Sequence, residues 1–295
     1  MLRQRSDRPR VALEIWGGDP RALITVARHA EAVGLDGVYV GESPTALNAE
    51  TWTTLGLLAA TTERIRIGPV IANLLPAYRS TVLLGRQAAN LAIATGGRLD
   101  FRTGVGAARP AAASWWEPAG ITYPSYDARW ATTDRELETL RRMWADDTTQ
   151  PVEPVVAAST PVPPIPVTVA ATSERGIELA RRHADVWETS WCTVDEWRDR
   201  DTVAGLPPSI GRSLEIDGFV GLDAAGVERT WARVGSDRAG EDLDLLRAKS
   251  LHGTPETVAD QIATLGSAGV EQLVVALHDP NDLDAISALG RALAD

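Results

Sequence analysis

The stretch Thr254-Pro255-Glu256-Thr257-Val258-Ala259-Asp260-Gln261-Ile262-Ala263-Thr264-Leu265-Gly266-Ser267-Ala268-Gly269-Val270-Glu271-Gln272-Leu273-Val274-Val275-Ala276-Leu277 decides the fold of this chain. Thr254 carries the hydroxyl of a helix N-cap, and Pro255 suits the first helical position, where a backbone N–H has no partner in any case. Val258, Ile262 and Leu265 recur at helical spacing, so they form one buried stripe. Gly269 ends the helix, and the apolar run 270–277 reads as a strand. A helix leading directly into such a strand is half of a parallel βαβ unit.

Outward from this unit the same alternation continues to the N-terminus. Strands are expected at 11–16, 37–40, 64–70, 98–103, 165–170, 185–191, 214–221 and 270–277, and helices at 22–33, 49–61, 80–94, 128–144 and 173–183. In the first unit Asp19 is the cap, Pro20 the opening residue and Gly34 the break. Eight strands alternating with helices predict an α/β chain closed into a (β/α)8 TIM barrel over a single domain, 1–295, with its site at the C-terminal strand ends. A doubly wound open sheet is the alternative. Residues 107–126 hold Pro110, Trp115, Trp116, Pro118, Gly120 and Pro124; they read as neither helix nor strand but as a long loop insertion after strand four that covers a site. The Pro- and Thr-rich segment 146–164 reads as an extended surface excursion, an arm against another subunit.

The chain has 295 residues, with 29 Lys plus Arg against 40 Asp plus Glu, a formal charge of −11. Nucleic acids and anionic membranes want a basic face, so neither is an expected partner. A hydrophobic content of 44% and a charged content of 23% are those of a globular protein. Cys192 is the sole cysteine, which excludes an internal disulfide and a cysteine zinc cluster, and no spacing of His, Asp and Glu suggests a metal. No run approaches the roughly 20 apolar residues of a membrane span, and 1–10 lack the apolar core of a signal peptide, so a cytoplasmic location is expected.

Several segments together resemble the bacterial luciferase-like superfamily of flavin- and deazaflavin-dependent oxidoreductases. They are Ala30-Glu31-Ala32-Val33-Gly34-Leu35-Asp36-Gly37-Val38; Leu57-Leu58-Ala59-Ala60-Thr61-Thr62-Glu63-Arg64-Ile65-Arg66-Ile67-Gly68; Ala94-Thr95-Gly96-Gly97-Arg98-Leu99-Asp100; and Gly253-Thr254-Pro255-Glu256-Thr257-Val258-Ala259. Pro164-Ile165-Pro166-Val167, Ala170-Ala171-Thr172-Ser173 and His183-Ala184-Asp185 support them. The resemblance implies a barrel whose mouth holds the ring of FMN or of the deazaflavin coenzyme F420, with the phosphate at the loop after strand five. It implies oxygenation or reduction of a small organic substrate, a homodimer, and a separate reductase that supplies the reduced cofactor. Reduced flavin reacts with dioxygen, whereas the deazaflavin essentially transfers hydride, so the resemblance leaves both reactions open.

Ala171, Thr172, Ser173 and Gly176 fall at the family's phosphate position, and hydroxyls with free N–H groups at a helix start form an anion site without lysine. The same residues also read as a plain Ser/Thr cap. Val70, Ile71 and Ala72 lie where relatives often place a non-prolyl cis peptide behind the ring, and Asn73 follows with an amide able to reach the ring's polar edge or to cap the turn. Gly104 and Gly106 suit a close approach of strand four to a ligand. Glu42 ends strand two as a candidate proton donor or relay; Ser43 beside it stands where luciferases proper have a histidine, which counts against a luciferase reaction. Glu14 is a charge within strand one, where a parallel barrel wants apolar groups, so it calls for a polar partner or the pocket itself. His278, directly after the last strand, is a third candidate acid or base, with His252 behind it. Luciferases carry an arginine near Val105, for which Arg102 or Arg109 are candidate substitutes here. Trp16, Trp115 and Trp116 are candidate walls of a substrate pocket.

Two other functions compete with this enzyme. A cofactor-free sugar-phosphate aldolase or isomerase needs a base or Schiff-base lysine, and Lys249 is the only lysine. A non-catalytic flavin-binding protein is compatible with the missing histidine and arginine.

Overall fold

The computed structural model describes residues 8–45, 49–145, 161 and 163–294, except the side chains of Pro110 and Ala111. Segment 146–164 therefore lies almost wholly outside the described residues. The first half runs β1 (Arg10–Ile15), α1 (Pro20–Ala32), β2 (Gly37–Gly41), α2 (Thr51–Thr61), β3 (Arg66–Val70), α3 (Thr81–Ala94), β4 (Phe101–Gly104), α4 (Arg109–Trp116) and α5 (Tyr126–Trp144). The second half runs β5 (Val167–Ala170), α6 (Glu174–His183), β6 (Val186–Ser190), α7 (Val194–Ala204), β7 (Gly211–Val220), α8 (Ala224–Asp237), α9 (Leu243–Ala248), β8 (Ser250–Gly253), α10 (Pro255–Ser267), β9 (Gln272–Leu277) and α11 (Leu283–Leu293).

Every strand pair is parallel, in the order β3-β2-β1-β9-β7-β6-β5-β4. The seam between β3 and β4 is closed by bridges from Ile67 to Leu99 and from Ala72 to Thr103. These eight strands make the predicted barrel. The short strand β8 was not expected; it pairs only with the far half of β7, from Asp217 to Val220, and stands outside the ring.

Side chains alternate across the wall, as the period of two in a strand requires. Val11, Leu13 and Ile15 of β1, Val38 and Val40 of β2, and Leu273, Val275 and Leu277 of β9 join the large apolar layer beneath the helices. Ala12, Tyr39, Val70 and Val274 form a separate small cluster inside the ring. Local signals set the helix ends: in α7, Thr193 accepts from the Glu196 N–H while the Glu196 carboxylate accepts from the Thr193 N–H. We expect Thr193→Ala, which breaks this reciprocal cap, to lower stability by about 1 kcal/mol in urea denaturation with the fold retained.

One expectation is corrected. The span 107–126 is not purely a loop, because α4 and a 3-10 turn over Glu117–Ala119 lie within it. Pro110 occupies the first helical turn, where its missing N–H breaks no bond, and three alanines follow before the tryptophans. The helix is pinned by Trp116, buried between Tyr123 (centroids 6.2 Å, stacked) and Tyr78 (5.0 Å, edge-on).

Candidate active site

The interior of the ring is charged where a barrel is ordinarily apolar. In its lower layer the Tyr39 hydroxyl donates to Asp100 Oδ2 at 2.7 Å and accepts from Gln272 Nε2 at 2.7 Å. Arg66 grips the same aspartate with Nε and Nη2 at 2.7 and 2.6 Å, and its charge helps hold that buried carboxyl below the usual range. Above this, the fully buried Arg102 stacks 4.3 Å over the Tyr39 ring and donates through Nη2 to Glu188 Oε2. Ser213 Oγ donates to the same oxygen at 2.6 Å. Arg102 Nε and Nη1 and Glu188 Oε1 have no hydrogen-bond partner among the described residues.

Over this network lies a cavity of about 330 Å³ at the C-terminal strand ends. Glu14, Glu188 and Glu215 form its floor; Trp16, Val70, Ile71, Trp115 and Trp191 are among its walls. Burial first, and then the charges of Glu215 and Glu188, lift Glu14 well above the ordinary carboxylate range. Burial first, and then Glu188, push Glu215 up to about 7, although Arg102 pulls in the other direction. The hydrogen bond between Glu14 and Glu215 holds the proton toward Glu14 and favours the ionised form of Glu215. Such a pair titrates as a unit. Glu14 Oε1 also accepts from Trp16 Nε1.

Glu42 lines the cavity, but its carboxylate is occupied. Trp52 Nε1 and Arg79 Nη1 donate to Oε1 at 3.1 and 2.7 Å, and the Asn73 N–H and Nδ2 donate to Oε2 at 2.6 and 3.2 Å. Burial raises its proton affinity while Arg79 and Asn73 lower it. This carboxylate ties the end of β2 to the bend after β3, so it positions Asn73 and the backbone next to it; the geometry gives it no free oxygen for a proton relay. That bend contains a cis peptide between Val70 and Ile71, at the position expected. Val70, Ile71 and Asn73 line the cavity. Ala72 does not; its N–H donates to the Arg102 carbonyl at 2.7 Å and its carbonyl accepts from Thr103 Oγ1 at 2.8 Å.

At the other side, Ala171, Thr172, Ser173 and Gly176 line the cavity where α6 begins. Ser173 caps the helix by accepting from the Gly176 N–H at 3.2 Å, and its hydroxyl meets the Tyr126 hydroxyl at 2.7 Å. Glu174, the first residue of α6, is exposed and does not line the cavity, so its charge is kept out of the cavity at the helix start. Gly104 and Gly106 also line the cavity, yet the space a side chain would take there is filled by protein. A Cβ on Gly104 would stand 2.9 Å from the Ala170 carbonyl, and one on Gly106 (φ +81°) 2.5 Å from the Tyr123 hydroxyl.

The remaining expected residues divide. Trp16, Trp115 and Trp116 reach the cavity, with Trp16 and Trp115 centroids 6.0 Å apart. Ser43 is buried outside it and accepts from the Thr45 N–H at 3.4 Å. His278 is corrected: its Nε2 pairs with Asp237 at 3.0 Å and it lines a separate cleft beside β7, because β9 ends at Leu277, one residue before it. His252 meets the Ser250 carbonyl through Nδ1 at 3.3 Å, its N–H donates to Gln261 Oε1 of α10 at 3.0 Å, and it is not at the cavity either. Arg109 holds the Tyr123 carbonyl and Glu117 on the cover. Lys249 pairs with Glu196 at 2.9 Å and does not line the cavity, which leaves a Schiff-base reaction there without its amine.

Sequence reading missed Glu188, Glu215 and Trp191. The signal was present for Glu215, a lone charge between Leu214 and Ile216 that face the helices, the same argument that singled out Glu14; for Glu188 it was weaker, because only Trp187 on one side is apolar and Thr189 follows on the other. Trp191 gave no such signal. It adopts a positive φ of 48°, which presents a half-exposed ring at the rim.

No helix among the described residues is long and apolar enough to cross a membrane. A comparison with curated proteins finds no match. Among solved structures, the chain is similar to an F420-dependent secondary alcohol dehydrogenase bound to an F420-acetone adduct, with a TM-score of 0.75 and 18% identity over 98% of this chain and 100% of that one. It is similar to EDTA monooxygenase from Chelativorans sp. BNC1, with a TM-score of 0.72 and 16% identity over 97% and 94%. It is also similar to the FMN-bound oxygenating constituent of 3,6-diketocamphane monooxygenase from Pseudomonas putida, with a TM-score of 0.67 and 16% identity over 97% and 99%. At these identities the likeness is one of fold. The sequence itself matches the luciferase-like monooxygenases over residues 4–205, more than half of its length, and the chain belongs to that family.

Proposed function

We propose that this chain is an oxidoreductase that uses reduced FMN or coenzyme F420 to oxygenate or reduce a small organic substrate at the barrel mouth. One observation carries the reading: a single cavity joins an apolar backbone bend at Val70 and Ile71 to the start of α6, where the Ser173 hydroxyl meets the Tyr126 hydroxyl of α5. A flat ring with an anionic tail fits that combination. The tail would be held by Thr172, Ser173 and the Gly176 region without lysine, and the ring by Val70, Ile71 and Asn73. When bound, the cofactor supplies two electrons, to dioxygen or as hydride. The chain itself contributes the cover, in which Trp115 and Trp116 of α4 exclude water from the reacting centre. Glu14 and Glu215 hold a proton at the floor that is exchangeable near neutral pH.

Titration of the purified protein with oxidised and reduced FMN and F420, followed by quenching of tryptophan fluorescence, is expected to give saturable micromolar binding of one of them. Failure of both ends the reading. Oxygen dependence of turnover then separates oxygenation from hydride transfer. We expect Ser173→Asp to weaken binding of the preferred cofactor several-fold or more through like-charge repulsion; an unchanged Kd would locate the anionic tail elsewhere. A homodimer and a partner reductase belong to the same proposal, and sedimentation and coupled turnover test them.

A further inference from the structure

The wall of the cavity is divided by charge. The arc β3–β4–β5 contributes Val70, Ile71, Gly104 and Ala170, all uncharged, and the Glu42 carboxylate at its edge is neutralised by Arg79 at 2.7 Å. The opposite arc, with β1, β9, β7 and β6 as consecutive neighbours, contributes Glu14, Glu188 and Glu215 at the floor and Trp16 and Trp191 at the rim. No Lys, Arg or His is among the described residues that line the cavity. The cation beneath this arc, Arg102, is bound through Nη2 to Glu188 Oε2, while Glu188 Oε1, on a side chain only 1% exposed, accepts no hydrogen bond among the described residues. Three carboxyls therefore face one guanidinium. No three acidic, His or Cys groups among the described residues are placed to hold a metal ion.

We infer that the acidic and aromatic arc is the substrate half of the site and that it selects a small organic ammonium ion, held by Glu188 and Glu215 beneath the Trp16, Trp115 and Trp191 rings. Buried carboxylates attract a cation strongly, and indole faces add to that attraction while rejecting an anion. Calling this ligand a substrate rests on the cofactor reading above; its binding does not. An ammonium group also competes with the proton that Glu14 and Glu215 share, so affinity rises as the pair ionises. The groups facing that pair are Glu188 from β6, Arg102 from β4 and Asp217 farther along β7; β9 carries no charged side chain.

The test uses the full chain without cofactor and three probes of one shape: benzylammonium, benzyl alcohol and benzoate. Tryptophan quenching at pH 8 is expected to show benzylammonium binding about tenfold or more tighter than benzyl alcohol, with any benzoate binding confined to the α6 start and therefore unchanged by Glu215→Gln. Between pH 8 and pH 6 the benzylammonium affinity is expected to fall several-fold while that of benzyl alcohol stays level. Glu215→Gln should weaken benzylammonium several-fold and flatten its pH dependence, leaving benzyl alcohol unchanged. Equal binding of the cation and the alcohol, or full retention of the cation's affinity in Glu215→Gln, overturns the inference. Neither result bears on the titration with FMN or F420, and loss of cofactor binding with benzylammonium retained overturns only the cofactor reading.

Discussion

Arg102→Met is expected to destabilise the folded protein by about 3–5 kcal/mol, measured as a lowered urea midpoint. The guanidinium is fully buried inside the ring, and its removal strands the Glu188 carboxylate with Ser213 as its remaining donor. It also takes away the cation stacked 4.3 Å over Tyr39. A methionine fills much of the volume, so the loss reports charge rather than a void. The double variant Arg102→Met with Glu188→Gln is expected to recover a substantial part of the loss, because an amide is far cheaper to bury than an uncompensated carboxylate. If the double variant is no more stable than the single one, the pair is not the source of the effect.

The second large effect has the opposite sign. Glu215 has its proton affinity raised to about 7 from an ordinary value of 4.5, chiefly by burial. A raised carboxyl favours folding while it keeps its proton. That contribution is complete below the unfolded value and is lost as pH climbs through the folded one. The displacement corresponds to a penalty of about 3 kcal/mol above neutrality. Glu215→Gln mimics the protonated form and still accepts from Glu14. It is expected to be more stable than the parent by roughly that amount at pH 8 and equal to it at about pH 4, below the unfolded value. Thermal melts at the two pH values check this; a variant that is less stable at pH 8 would mean that the negative charge is needed to hold Arg102.

The two results together would describe a floor whose electrostatics oppose stability in favour of binding. Three acids around one arginine are an expensive way to fill a barrel, and the same carboxyls are those with access to the cavity. Charge concentrated at ligand-facing positions is the usual sign of a site rather than of a core.

Much of this architecture is legible in the sequence. All eight ring strands and the caps at Asp19 and Ser173 follow from local chemistry, since period-two burial, N-capping and glycine breaks each act within a few residues. A local reading turns α4 into loop because three prolines, a glycine and two adjacent tryptophans within 107–126 outweigh a Pro position that costs nothing at a helix start. Strand β8 was missed because four residues carry too little pattern to stand apart from a loop.

The order of strands and helices, the inward charge of Glu14 and the helix-start hydroxyls at Thr172 and Ser173 are properties the sequence determined by itself, because each depends on neighbours a few residues away. The tertiary structure alone decided that Glu42 is consumed by Arg79 and Asn73, that His278 leaves the ring for Asp237, and that Glu14, Glu188 and Glu215 converge from three strands over Arg102. Those facts depend on which strands the closed ring sets side by side, and on how low-dielectric burial then divides protons and charges among groups as distant in the chain as Glu14 and Glu215.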